Sequence, residues 1–167
     1  MAAYNEFVTQ NASDKVVDVD VAARFCGAPV KKVAFSFEKA AGDINASVWR
    51  IARISPFAKI LSLKLAMDNI TSLTDLDAGF YKPLEVGGTA IDKDCLLDGW
   101  DGHTGQTALE EKYVSATMLA DIGKEAYLLA GVTAANAKKY GAFDVALTGN
   151  TAGADTGTIA GVLEYIE

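Results

Sequence analysis

The stretch that most constrains the fold is residues 48–81, in which three runs of alternating side chains are separated by short breaks. Alternation with a period of two is typical of a β-strand with one buried face. The middle run places its large apolar side chains on one face, namely Leu61, Leu63, Leu65 and Met67. Residues 48–81 therefore predict three neighbouring strands, with corners at Ser55–Pro56 and after Asp68.

Alternating runs also lie on both sides of this stretch. Residues 33–38 alternate before a turn, and residues 143–147 and 159–166 alternate around a Gly, Asn and Asp-rich turn that predicts a hairpin. Near the amino end, Val17, Val19 and Val21 alternate with aspartates and predict a short strand or an extended arm. The chain thus reads as an N-terminal arm, residues 1–30, followed by one domain, residues 31–167.

The two-residue alternation of apolar side chains is lost between about residues 82 and 138. Residues 91–100 suggest a short helix capped by Asp92, and residues 117–132 suggest a second, interrupted by Gly123. Residues 134–141 fit either a helical turn or the start of a strand. We interpret 82–138 as a partly helical excursion inserted into an all-β protein, a β-sandwich or jelly roll, because grouped helices argue against repeated βαβ units.

Charge and hydropathy exclude several classes of function. The net charge is −7 and the pI is about 4.7, and the basic residues are scattered, so we expect no nucleic-acid partner. No apolar run approaches the ~20 residues that span a bilayer, and the amino end lacks a basic segment followed by an apolar one, so we expect neither membrane insertion nor secretion. Cys26 and Cys95 are expected to stay as free thiols.

Motifs that carry chemistry are weak in this chain. His103 is the single histidine, and with Asp98 and Asp101 it could be drawn as a metal site, but that spacing matches neither a zinc nor a calcium pattern. The carboxylate pairs Asp18/Asp20 and Asp75/Asp77 are interpreted as solvent faces of strands rather than as a glycosidase pair. The sequence contains no nucleophile elbow, phosphate loop or C-x-x-C motif. We expect no enzyme activity, no cofactor and no metal.

Four aromatic residues lie outside the regular alternation and are candidate contact residues. They are Tyr4, Phe7, Trp100 and Tyr113. Aromatic side chains in such places either form satellite core or anchor a partner. We favour satellite core for the two in the excursion, while both interpretations stay open for the two in the arm. Val17, Val19 and Val21 join the candidate interface because an arm of this kind can add a strand to a neighbour.

At residues 48–81 the chain resembles the decoration, or cement, proteins of tailed-bacteriophage heads. The matching segments are a strand with an arginine-containing run, Arg50 to Ile54, a strand of the form P-x-x-A-K-I-L-x-L, Pro56 to Leu63, and the motif formed by Asp77, Gly79 and Tyr81. The likeness continues through the Gly-Gly turn, the IDKDCLLDG segment and the final strand, and covers about two thirds of the chain.

The resemblance implies a virion structural protein without catalytic residues. It would sit on the capsid exterior after synthesis in the host cytoplasm, with the major capsid protein as its partner and self-association into a dimer or trimer. A second hypothesis is a ligand-binding sandwich of a virion, directed at a carbohydrate or a receptor, in which Trp100 and Tyr113 act as stacking platforms.

Overall fold

The structure, a computed structural model, describes residues 29–43, 45–113, 121, 123–151 and 153–167. It contains eight strands and two short α-helices within those residues. The strands are β1 (Val30–Lys39), β2 (Ser47–Ile54), β3 (Lys59–Met67), β4 (Asp75–Tyr81), β5 (Ala90–Trp100), β6 (Gln106–Glu111), β7 (Phe143–Thr151) and β8 (Gly157–Ile166). The helices are α1 (Ala126–Leu129) and α2 (Ala134–Tyr140), and a 3-10 helix covers Leu84–Val86.

The strands form two antiparallel four-stranded sheets. Sheet A has the order β1-β8-β3-β6 and sheet B has the order β2-β7-β4-β5. Every connection between successive strands crosses from one sheet to the other, except the one between β4 and β5, which joins neighbours in sheet B. This is the connectivity of a jelly roll. The β-sandwich or jelly roll expected from the sequence is therefore confirmed.

The core lies between the two sheets and is built by the alternating apolar side chains. Sheet B contributes Leu76, Ala78, Phe80, Phe143, Val145 and Leu147, and sheet A contributes Leu63, Leu65, Met67, Ile159 and Leu163, all of them buried. Phe80 and Phe143, on the two central strands of sheet B, contact each other with ring centroids 5.6 Å apart. The period-two pattern of residues 61–67, 76–80, 143–147 and 159–163 thus located most of the core correctly.

Residues 82–138 contain both strands and helices. The predicted helix at 91–100 is wrong, because these residues form β5, the edge strand of sheet B, and Gly99 with φ of 69° lies inside that strand. β6 closes the edge of sheet A. Among the described residues of the segment, the helical ones form the 3-10 helix Leu84–Val86, α1 and the first part of α2. The first turn of α2 is capped by the hydroxyl of Thr133, which accepts from the N–H of Asn136.

β-Bulges explain where the simple alternation fails. In β3 the register against β8 shifts between Ile60 and Ser62, so Ile60 is fully buried while Leu61 is partly exposed. Ser62 is buried too, and its hydroxyl hydrogen-bonds the carboxylate of Glu111. A bulge adds one residue and reverses the facing of what precedes it. Leu61 therefore leaves the predicted core face and Ile60 replaces it.

Gly79 is required by the way β5 crosses β4. β5 has eleven residues and its partner β4 has seven. The additional residues of β5 form bulges that lie over the outer face of β4. A Cβ on Gly79 would lie 2.2 Å from the carbonyl oxygen of Asp92 and 2.5 Å from the carbonyl carbon of Lys93. Both atoms are backbone, so neither can move aside without displacing the strand.

We expect Gly79→Ala to lower the free energy of unfolding by about 2 kcal/mol, because the new methyl group overpacks a strand crossing. Urea denaturation followed by tryptophan fluorescence measures the loss. Gly42→Ala is the matched control, since a Cβ on Gly42 meets nothing within 4 Å. Equal stability of the two variants would contradict this account of the β4–β5 crossing.

Residues 1–28 of the predicted N-terminal arm, residues 1–30, lie outside the described residues. Two expectations therefore stay predictions: the free thiol of Cys26, and the interface role of Tyr4, Phe7, Val17, Val19 and Val21. Among the described residues no helix is long and apolar enough to cross a bilayer.

Candidate interaction surface

The two ends of the sandwich differ in chemistry. Three connections come together at one end: the β2–β3 turn (residues 55–58), the β4–β5 connection (residues 82–89) and the segment with α1 and α2. The pairs Ile54↔Phe143 and Tyr81↔Asp144 show this, because they place the ends of β2 and β4 beside the start of β7. β1 also begins at this end, beside the last residues of β8. We call this the apolar end. The other connections between strands meet at the opposite, loop end.

Exposed apolar side chains concentrate at the apolar end. Five of the seven large apolar side chains that are exposed among the described residues belong to it, namely Val30, Phe57, Leu84, Val86 and Leu128. Leu84 is 68% exposed and Leu128 is 50% exposed. Single exposed leucines are common on protein surfaces, whereas several that share one end mark a candidate contact surface.

Backbone hydrogen bonds hold α1 against the β2–β3 turn. The N–H of Ala126 donates to the carbonyl of Ala58 at 2.7 Å, and the N–H of Tyr127 donates to the carbonyl of Pro56 at 2.9 Å. The rings of Phe57 and Tyr127 then meet edge to face, with centroids 5.4 Å apart. Leu128 is thus presented from a short helix that is fixed at its first turn.

An ion-pair cluster around one buried carboxylate holds the β4–β5 connection. Asp144 on β7 is 3% exposed and accepts from Nη1 of Arg50 at 2.8 Å and from Nε of Arg53 at 2.7 Å. Arg50 also donates to the carbonyls of Lys82, at 3.1 Å, and Gly88, at 2.7 Å. Because these two carbonyls lie at the two ends of the connection, Arg50 fastens the loop that presents Leu84 and Val86.

Charged groups surround the apolar side chains. Glu85 pairs with Arg53 at 2.5 Å, and its pKa is lowered by its own backbone N–H and by that arginine. Glu167 accepts from Lys31 and, at 3.0 Å, from the N–H of Ser55. These hydrogen bonds lower the pKa of Glu167, with the one from Lys31 contributing most. The surface therefore has exposed apolar groups beside ionised carboxylates, the composition of a polar-rimmed contact patch.

The outer face of β4 carries a buried carboxylate. Asp77 is 2% exposed, accepts from the N–H of Gly99 at 3.0 Å and from the amide of Asn150 at 2.5 Å, and lies 3.3 Å from the ammonium of Lys93. Asp75 also accepts from Asn150, at 3.1 Å. The predicted solvent face of β4 is therefore wrong for Asp77, because β5 folds over it. The two carboxylates share one amide donor, that of Asn150.

The structure places Trp100 and Tyr113 in different environments. Tyr113 is 2% exposed and belongs to the core, where burial raises the pKa of its hydroxyl. It therefore offers no stacking platform to a sugar. Trp100 ends β5 and is partly exposed, but the ammonium of Lys112 lies over its ring at 4.3 Å. This cation–π contact and the partial packing of Trp100 on the core fit a satellite-core role.

The loop around His103 is organised by its own hydrogen bonds. The carboxylate of Asp101 accepts from the N–H of His103 at 2.8 Å, and the imidazole Nδ1 lies 3.3 Å from the carbonyl of Thr71. Within the part of the chain that the structure describes, no group of three metal-ligating side chains comes together. Cys95 is a free thiol whose pKa is raised by burial.

The apolar end was missed by the sequence reasoning. Leu84 and Val86 lie between Pro83 and the Gly87-Gly88 pair, and apolar residues inside a turn bounded by proline and glycine are a usable signal of exposure. Leu128 carries no comparable signal, because its neighbours Tyr127 and Leu129 are also apolar and are partly buried.

The two four-stranded sheets define a jelly-roll β-sandwich. No model of a known protein family matches the sequence, and neither does any curated protein sequence. Two chains of solved structures do match. One is in the cyanophage Pam1 capsid asymmetric unit, with a TM-score of 0.53 and 16% identity over 84% of this chain and 86% of that chain. The other is in the capsid of Ralstonia phage GP4, with a TM-score of 0.54 and 13% identity over 86% and 87%. At these identities the likeness shows a shared fold.

Proposed function

We propose that this chain is a structural protein of a tailed-phage head, which binds the outer surface of the capsid as a decoration, or cement, protein. The observation that carries the proposal is the jelly roll that it shares, over more than four fifths of its length, with chains in two phage capsid structures. Its partner is the major capsid protein, and it associates with itself as a dimer or trimer. The role is one of binding, with no catalytic step.

The apolar end supplies the contacts that such a role needs. Its leucines stand on backbone that is already ordered by the Arg50–Asp144 pair and by the hydrogen bonds between α1 and the β2–β3 turn. Preordered contact residues lose little conformational freedom on binding. Because a capsid repeats the same site many times, oligomers of a modest binder gain affinity through multivalency.

We expect the double variant Leu84→Asp, Leu128→Asp to bind heads at least about tenfold more weakly, because burying two carboxylates in an apolar contact is unfavourable. The probe is a preparation of empty heads lacking the protein, made from the phage that encodes it. Co-sedimentation of purified protein with these heads gives the apparent affinity, and electron microscopy of the decorated heads gives the occupancy.

Leu109→Asp is the matched control, since Leu109 is 53% exposed but lies on β6, away from the apolar end. Full binding by this control, with loss in the double variant, supports the assignment of the surface. Failure of the unaltered protein to bind heads would overturn the proposed function itself. Equal binding by all three proteins would remove the apolar end from the proposal and leave the function standing.

A further inference from the structure

Three neighbouring strands of sheet B bring a lysine, a carboxylate and an amide together. Asp77 lies on β4, between Lys93 on β5 and Asn150 on β7. The ammonium of Lys93 donates to Oδ1 of Asn150 at 2.6 Å and lies 3.3 Å from Oδ2 of Asp77. The same Oδ2 accepts from Nδ2 of Asn150 at 2.5 Å. Each of the three groups therefore contacts the other two.

The partners of the Asn150 amide fix its orientation. Its nitrogen donates to the carboxylates of Asp75 and Asp77, which accept, and its oxygen accepts from the ammonium of Lys93, which can only donate. The carbonyl carbon is bonded to the oxygen that Lys93 contacts, so the amine lies beside an electrophilic carbon. The amide nitrogen, the leaving group for an attack at that carbon, lies against a carboxyl group. A nucleophile, an acyl group and a proton carrier are thus in place.

Burial distinguishes this cluster from an ordinary surface ion pair. Asp77 is 2% exposed. The side chain of Lys93 is 44% exposed, but its ammonium is held between two partners. Groups that are well oriented toward each other react as if they were present at roughly 10⁵ to 10⁸ M. Such positioning offsets the low reactivity of an amide toward an amine in water.

We propose that Lys93 and Asn150 become joined by an isopeptide bond, with Asp77 carrying the protons. Asp77 takes a proton from the Lys93 ammonium, and the amine lone pair then forms the Nζ–Cγ bond while the carbonyl π electrons move to Oδ1. Asp77 next protonates Nδ2, the Cγ–Nδ2 bond breaks with its electron pair on nitrogen, and the carbonyl re-forms. The surplus proton on Nζ passes through Asp77 to the released ammonia. The products are a secondary amide and an ammonium ion, and no co-reactant is needed.

The bond joins the edge strand β5 to β7 across β4. β5 lies at the edge of sheet B, and its register against β4 shifts repeatedly. The two residues are 57 positions apart in the chain, so a covalent link between them restricts the unfolded state. The reaction occurs once in each chain and consumes the amide, so it matures the sandwich and turns over no substrate.

Mass spectrometry of the purified full chain tests the proposal. The unaltered protein is expected to be lighter than its sequence by one ammonia, and its tryptic digest to contain the Lys93 peptide joined to the Asn150 peptide. Lys93→Arg is the matched control, because arginine keeps the charge and the hydrogen-bond donors but removes the amine nucleophile. Asp77→Asn keeps both reacting groups and removes the proton carrier. Both variants are expected to keep the full sequence mass and to give no joined peptide.

Three outcomes would count against the bond or its mechanism. Full sequence mass in the unaltered protein after prolonged incubation at neutral pH would overturn the proposal. A loss of ammonia that persists in Lys93→Arg without a joined peptide would overturn it too, since Asn150 then cyclises on its own backbone. A joined peptide that forms equally fast in Asp77→Asn would overturn the role of Asp77. All these measurements use free protein, so their outcome is independent of whether the protein binds heads.

Discussion

Replacing Asp144 with asparagine is expected to lower the free energy of unfolding by about 3 kcal/mol, the lower end of the range for removing one partner of a buried ion pair, because Arg50 and Arg53 are only partly buried. The carboxylate is 3% exposed and accepts three hydrogen bonds of 3.2 Å or less from Arg50 and Arg53. Asparagine keeps the shape but supplies one acceptor and no charge, so the guanidinium of Arg50 loses its carboxylate partner. Urea denaturation of purified protein measures the change.

Glu85→Gln is the matched control for this prediction. Glu85 pairs with the same Arg53, but its side chain is 62% exposed, and exposed ion pairs contribute little to stability. We therefore expect a clearly smaller change than for Asp144→Asn. Under the proposed function, we also expect Asp144→Asn to bind heads more weakly, because Arg50 then holds the β4–β5 connection less firmly. Unfolding of Asp144→Asn and Glu85→Gln at the same urea concentration would contradict a stabilising role for the cluster of Asp144, Arg50 and Arg53.

The sequence predicted most of the strands because one buried face imposes alternation wherever a strand is regular. β4, β7 and β8 follow their patterns closely, and their apolar faces form the core. β5 was mistaken for a helix because its bulges and Gly99 disrupt the alternation over residues 90–100. A bulge changes the period locally, and neither the residue types nor the spacing of this strand identifies one.

The ion-pair cluster shows why the candidate site was harder to foresee than the fold. Arg50 and Arg53 are three residues apart, so strict alternation places them on opposite faces of β2. The register of β2 against β7 shifts between Arg50 and Ala52, and both arginines therefore reach Asp144 on the outer face. Which residues cluster thus depends on tertiary register, a property that is absent from local spacing.

At the loop end, Lys39→Met is expected to lower the free energy of unfolding by about 3 kcal/mol. Lys39 ends β1 and is fully buried, and its ammonium donates to the carbonyls of Gly153 and Asp155, each at 2.7 Å. Methionine preserves the apolar packing of the stem but removes the donor. The carbonyls of Gly153 and Asp155 then lose their hydrogen-bond donor, and this loss is the main destabilising contribution.

The same change should loosen the β7–β8 connection, because the ammonium joins it to the end of β1. We expect limited proteolysis to cut Lys39→Met within residues 153–156 faster than the unaltered protein, alongside the fall in urea stability. Lys32→Met is the matched control: it lies on the same strand, and its side chain is 64% exposed and pairs with Glu164 on the outer face. Since an exposed pair contributes little, Lys32→Met should leave both measurements almost unchanged. Equal losses in the two variants would mean that the buried ammonium does not hold this connection.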